Sequence, residues 1–219
     1  MEDLFEIIKS GKDEQLEQLL VKNPALIAYK SVQGISLIQF AAYCRNNLAV
    51  DILLKYTTKL DFFEASCIGD LETIKPLLEE TPELIHSFSS DGFTALGLAS
   101  FFGHFTLVEL LLNKGADPNI ASNNSFHVAP IHSACAISAY ELVELLIKHG
   151  ANVNAKQMQS ITPLHTAAHN GQTELSKLLI ENGAEINAKS DQGHTALFMA
   201  HEKYFLETAA LLIKYGGQK

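Results

Sequence analysis

Four glycines divide the second half of this chain into nearly equal segments. Gly115, Gly150, Gly183 and Gly216 each close a leucine-rich stretch, at intervals of 35, 33 and 33 residues. Thr94, Ala129, Thr162 and Thr195 recur at the same three intervals. A period of this length constrains the fold more than any single motif does. Each segment is one supersecondary unit, too small to bury its own apolar side, so neighbouring units must stack. The clearest segment is ITPLHTAAHNGQTELSKLLIENGAEINAK, residues 161–189. Thr162 is a good helix N-cap, and Pro163 follows where a missing N–H costs nothing. Leu164, Ala167 and Ala168 share one helical face, and the alanines let another helix approach closely. Gly171 ends this helix. Leu175, Leu178 and Leu179 give a second amphipathic helix, and Gly183 sits where a left-handed cap is needed. The unit is therefore helix, tight turn, helix, loop.

The four segment starts read TALGLASFFGH, APIHSACAISA, TPLHTAAHNGQ and TALFMAHEKYF. The T-P-L-H-x-A core and the period resemble the ankyrin repeat. The resemblance is strong for residues 90–216 and weaker for 1–89. It implies an all-α solenoid of stacked helix-turn-helix units with short β-hairpin fingers, forming one domain over 1–219. The units fall at about 1–30, 31–58, 59–88, 89–121, 122–156, 157–189 and 190–219.

The first half carries a second kind of repetition. At an offset of 58 residues, Asp3/Asp61, Phe5/Phe63, Glu6/Glu64, Gly11/Gly69, Leu19/Leu77, Leu20/Leu78, Pro24/Pro82, Leu26/Leu84 and Ile27/Ile85 are identical, and the match runs on through Gly34/Gly92 and Ala41/Ala99. Two units are thus duplicated as a pair. Only Thr57, Thr58 and Lys59 separate units 2 and 3, so one finger should be missing there. Pro76 falls inside a helix and should bend it or delay its start. Residues 119–128 hold a two-residue insertion rich in turn formers, with Phe126 among them. Polar residues in the first unit, and Glu202, Lys203 and Tyr204 in the last, are expected to form caps that complete an array of seven units.

Composition excludes several functions. With 47% hydrophobic residues and no low-complexity tract, the chain is expected to fold. Its net charge of −9 argues against nucleic acid or an anionic membrane as the main partner. The first twenty residues lack the pattern of a signal peptide, and no apolar run is long enough to span a bilayer. Cys44, Cys67 and Cys135 are isolated and odd in number, which fits reduced thiols in a cytoplasmic protein.

Chemistry finds little footing. His165 and His169 have i, i+4 spacing, but no H-E-x-x-H accompanies them; His194 and His201 are the only further histidines expected nearby. A metal-dependent enzyme built on these histidines is one alternative, and a self-associating structural subunit is another. The resemblance implies instead that His165, and His132 in the same place, brace the hairpins. No nucleophile motif or phosphate-binding loop is present, so neither catalysis nor a cofactor is expected.

The resemblance also implies that partners are read by finger tips and by the exposed side of the first helices. The expected contacts are Ile35, Phe93, Val128, Ile161 and His194 on fingers, and Tyr43, Phe101, Phe102, Ile137 and His169 on helices. Cys44, Cys67, Ile68, Ala136 and Asn170 flank them, and Phe126 adds an apolar group on the inserted loop. The expected function is protein binding by a monomer that regulates, protects or scaffolds one partner protein, itself basic or basic at its rim.

Overall fold

The computed structural model describes residues 3–218. Among these the chain is all-α, with fourteen α-helices and three short 3-10 segments. The helices pair in chain order. Each pair has a first, inner helix and a second, outer one.

Two compact units emerge. The first holds the described residues up to Leu84 together with Ser89–Asp91; the second holds Ile85–Phe88 and the chain from Gly92 onward. In the first unit the inner helices are α1 (Leu4–Lys9), α3 (Leu37–Tyr43) and α5 (Phe62–Ile68). Their outer partners are α2 (Asp13–Lys22), α4 (Asn47–Tyr56) and α6 (Leu71–Glu80). Inner helix packs on inner helix, α1 on α3 and α3 on α5. The core includes Leu4, Ile7, Ile8, Leu16, Leu20, Leu37 and Leu53, all buried.

The second unit has inner helices α7 (Ala95–Phe102), α9 (Pro130–Ala136), α11 (Pro163–His169) and α13 (Ala196–Glu202). The outer ones are α8 (Phe105–Asn113), α10 (Tyr140–Lys148), α12 (Thr173–Glu181) and α14 (Leu206–Lys214). Neighbours pack on one another: α7 with α9, α9 with α11, α11 with α13, and likewise along the outer row. Stability in such a stack is the sum of each pair and its interfaces. The alanines at Ala134, Ala167 and Ala200 are fully buried, as close helix approach demands.

The duplication at offset 58 survives as geometry. Asp3 and Asp61 both cap a helix, and 3-10 segments begin at both Pro24 and Pro82. The fingers are shorter than hairpin strands. They reduce to single antiparallel bridges, Lys30 with Ser36, Phe88 with Thr94 and Gln157 with Ile161. None of these bridges falls between α4 and α5, where only a short link is available. Pro76 does not delay its helix. Asp70 caps α6, which begins at Leu71, five residues before the proline.

Each inner helix turns into its outer partner through a residue with positive φ: Gly11, Arg45, Gly69, Gly103, Ser138, Gly171 and Tyr204, at 53° to 79°. A residue with a β-carbon pays roughly 1–2 kcal/mol in this region, so Arg45, Ser138 and Tyr204 hold strained turns. Gly171 has a second reason to be glycine: a β-carbon there would lie 2.4 Å from the Phe205 ring.

Candidate functional site

In α3, α5, α9 and α11 the third residue bonds back to its own helix start. In α3 this residue is Gln39; its side chain accepts from the Ser36 N–H, while Ser36 Oγ accepts from the Gln39 N–H. Glu64 and Asp61 form the same reciprocal cap in α5. In α9 and α11 the residue is histidine, and it does more. His132 Nδ1 accepts from the Ala129 N–H, so Nε2 carries the proton and donates toward the Ala155 and Ile161 carbonyls, 3.0 and 3.2 Å away. His165 Nδ1 accepts from the Thr162 N–H, and its Nε2 donates to the His194 carbonyl at 3.0 Å. Each imidazole therefore joins its own helix start to the finger of the next pair. This is the bracing role that the resemblance implies. Burial pushes the His132 pKa down to about 4 and lowers that of His165 as well, so both are neutral at pH 7.

A second periodic tie runs through the loops after the outer helices. Asn119 donates to the Gly150 carbonyl and accepts from the Asn152 N–H, at 3.0 and 2.8 Å. Asn154 repeats this with Gly183 and Glu185, and Asn187 with Gly216 and Gln218. One pair before Asn119, in the segment after α6, His86 Nε2 stands at the same place, 3.2 Å from the Gly115 carbonyl. The sequence signal is an asparagine four residues after the closing glycine, in GADPN, GANVN and GAEIN.

The fingers of the second unit also bond to one another. The Asn123 N–H donates to the Gly92 carbonyl, Met158 to Phe126, and Asp191 to Gln159. Gly92 must be glycine, because a β-carbon would meet the Asn123 oxygen at 2.8 Å. The two-residue insertion folds into a tight turn. Ser122 pairs with Val128 at both backbone and side chain, and Asn124 Oδ1 accepts from the Phe126 N–H at 3.0 Å. This fixes the Phe126 backbone while leaving its side chain 52% exposed, beside the finger that holds Phe93.

The expected contact residues of the second unit lie on its fingers and inner helices, and none is fully buried. Phe93, Phe101, Phe102, Val128, Ile137, Ile161 and His194 are half-buried; Phe126 and His169 are exposed. Phe101 and Phe102 meet edge to face at 5.1 Å, which is how two adjacent rings share a surface. Ile137 lies against the Gly103 turn. The His194 ring stacks on Phe198 at 4.0 Å. On the first unit Ile35 and Tyr43 are half-buried, and the Tyr43 hydroxyl donates to Asp91 at 2.6 Å. Burial and this carboxylate push the Tyr43 pKa up. One flanking residue is misplaced by sequence reasoning: Cys67 is buried, not outward-facing. Its thiol pKa is raised by burial, as is that of Cys135.

Among the described residues no three His, Cys, Asp or Glu side chains converge to hold a metal ion. The i, i+4 pair does not form half of one. His165 is turned inward with both ring nitrogens engaged, while His169 faces out. No helix among these residues is long and apolar enough to cross a membrane.

Known proteins share this organisation. A family model described as "Ankyrin repeats (3 copies)" matches three overlapping stretches, residues 4–122, 62–157 and 131–219. An ankyrin repeat and SAM domain-containing protein of Rattus norvegicus is 31% identical over 103 residues, 47% of this chain and 11% of its own length. The ankyrin repeat protein nuc-2 of Neurospora crassa is 36% identical over 91 residues, 42% of this chain and 8% of its own. A putative ankyrin repeat protein of Acanthamoeba polyphaga mimivirus is 26% identical over 176 residues, 73% of this chain and 23% of its own. The chain thus spans less than a quarter of each of these relatives, and what it shares with them is the repeat array. By the family model, the repeat period and the stacked helix pairs together, this chain belongs to the ankyrin-repeat family.

Proposed function

We propose that the chain binds a partner protein through the fingers and inner helices of its second unit, with Phe126 as the main anchor and Phe93, Phe101, Phe102, Val128, Ile137, Ile161, His169 and His194 around it. Ankyrin repeats are protein-interaction modules in general. The observation that carries the reading here is Phe126. Its backbone is held at both the N–H and the carbonyl, yet its ring is half in water. An aromatic group presented in this way gives up much hydrated surface and little rotamer freedom on binding. On the first unit, taken by itself, the proposed contacts are Ile35 and Tyr43, both half-buried. The net charge of −9 favours a partner that is basic, at least at its rim. Cys44, Cys67 and Cys135 form no disulfide with one another and two of them are buried, which suits a reducing compartment such as the cytoplasm.

The test is differential capture from native lysate with the wild-type chain and with Phe126→Ser, followed by affinity measurement on the protein retained. The variant should weaken binding by more than about 1 kcal/mol and melt at the wild-type temperature. Unchanged affinity for the captured protein, with a lowered melting temperature, would refute the reading.

A further inference from the structure

The outer helices of the second unit carry a surface that the finger site above does not use. α8, α10 and α12 pack on one another less closely than the inner helices do, and a groove of about 990 Å³ lies along them. Its apolar lining includes Phe105 of α8, Leu145 of α10 and Leu178 of α12. Leu178 is buried, Leu145 half-buried, and Phe105 42% exposed. Glu109, Glu141 and Glu144 stand along the same groove, all exposed, with Lys148 as the one base in the lining. Among the described residues these three carboxylates form no ion pair, and no side-chain hydrogen bond joins α8 to α10. Other steps of the outer rows are bridged. In the first unit Lys55 of α4 pairs with Glu17 of α2 at 2.8 Å. In the second, Thr173 of α12 meets Thr208 of α14 at 2.9 Å, and the Tyr215 hydroxyl donates to Glu181 at 3.3 Å.

We propose that this groove binds an amphipathic helix of a partner protein, basic along its polar side. The apolar side of such a helix covers Phe105, Leu145 and Leu178, and its lysines or arginines meet Glu109, Glu141 and Glu144. Charge selects this occupant. Acids outnumber bases three to one in the lining, and a neutral or acidic segment would strip water from carboxylates without giving them a partner. Glu141 and Glu144 are one helical turn apart, so bases one turn apart match them. A second copy of this chain does not offer such a helix. Apart from Lys9/Lys12 and Lys55/Lys59, no two of its bases lie within four residues of each other. Lys9 and Lys55 are already paired, with Glu6 and Glu17.

The test is a phage-displayed library of short peptides, selected on the full chain and counter-selected on Glu109→Lys, Glu144→Lys. Retained peptides should be enriched in lysine or arginine about one turn apart among apolar residues. A synthetic peptide of that consensus should bind the double variant at least about tenfold more weakly than wild type, and Phe105→Ser likewise. Melting temperatures should stay put, because all three side chains are exposed. Glu79→Lys, Glu80→Lys makes the same charge change on exposed sites of α6 and should leave binding nearly intact. Retained peptides with no basic bias would overturn the proposal. So would an equal loss from the α6 variant, which would reduce binding to net charge, or full binding by Phe105→Ser. A chain that self-associates, and ceases to in Glu109→Lys, Glu144→Lys, would give the groove to a second copy and overturn it too. Phe126 does not line the groove, so Phe126→Ser should leave the peptide affinity unchanged, and the two sites fail independently.

Discussion

His132 makes fold stability depend on pH in a calculable way. The ring is 2% exposed and its folded pKa is about 4, against an ordinary value of 6.5. Because the folded value is the lower one, the unfolded chain takes up the proton first. The contribution is therefore complete above pH 6.5 and is lost as pH falls from 6.5 toward 4. At pH 5 the gap is about 1.5 pH units, or about 2 kcal/mol at 1.36 kcal/mol per unit. His165 acts in the same direction. Stopping at pH 5 keeps the experiment above the usual carboxylate range. The informative variant is His132→Gln. Glutamine already fills this position in α3, where Gln39 accepts from the Ser36 N–H, and it does not titrate. Urea unfolding at pH 7 and pH 5 should show the wild type losing about 2 kcal/mol or more. The variant should lose about 2 kcal/mol less over that interval, while starting somewhat lower at pH 7 because the bonds to Ala155 and Ile161 are gone. Equal losses in the two proteins would refute the buried, neutral imidazole.

Other perturbations test other parts of the stack. Leu164→Ala and Leu179→Ala remove fully buried side chains and should each cost about 2–5 kcal/mol in urea unfolding; less than about 1 kcal/mol at both would contradict the packing. Gly183→Ala and Gly171→Ala separate backbone strain from crowding: no atom lies within 4 Å of a β-carbon at Gly183, whereas the Phe205 ring blocks one at Gly171, so Gly171→Ala should lower the melting temperature further. Asn154→Ala removes the bonds to Gly183 and Glu185 and should cost roughly 1–2 kcal/mol, a loss that serine should not restore because it cannot span both groups.

The sequence made the framework legible because its main signals are steric. Thr94, Thr162 and Thr195 cap their helices, and Gly115, Gly150, Gly183 and Gly216 have φ between 88° and 93°. Only certain residues satisfy these backbone demands, so position reveals conformation. What sequence reasoning missed is relational. The asparagines of the loops are periodic, yet nothing local says that Asn154 reaches a carbonyl 29 residues away. The register of Cys67 points outward, but α5 buries it. Side chains at the proposed binding surface were legible as unusual, not as exposed: adjacent phenylalanines could have been core, and they settle as a half-buried pair.

The ties between helix pairs bear on binding as much as on folding. Phe126 hangs from a loop whose carbonyl is bonded to Met158, and Met158 opens the turn that ends at Ile161. The Ile161 carbonyl is one of the two that His132 holds. A partner seated on Phe126 thus rests, through two hydrogen-bonded steps, on a buried histidine in the helix start behind it. Rigid presentation lowers the entropic cost of association, so loosening His132 should weaken binding even though its ring cannot touch the partner. His132→Gln isolates this tie at neutral pH: glutamine can still accept from the Ala129 N–H, as Gln39 does from Ser36, but loses the bonds to Ala155 and Ile161. Affinity at pH 7 for a protein whose capture depends on Phe126 should fall in His132→Gln with the helix content unchanged. Equal affinities in the variant and the wild type would refute the coupling.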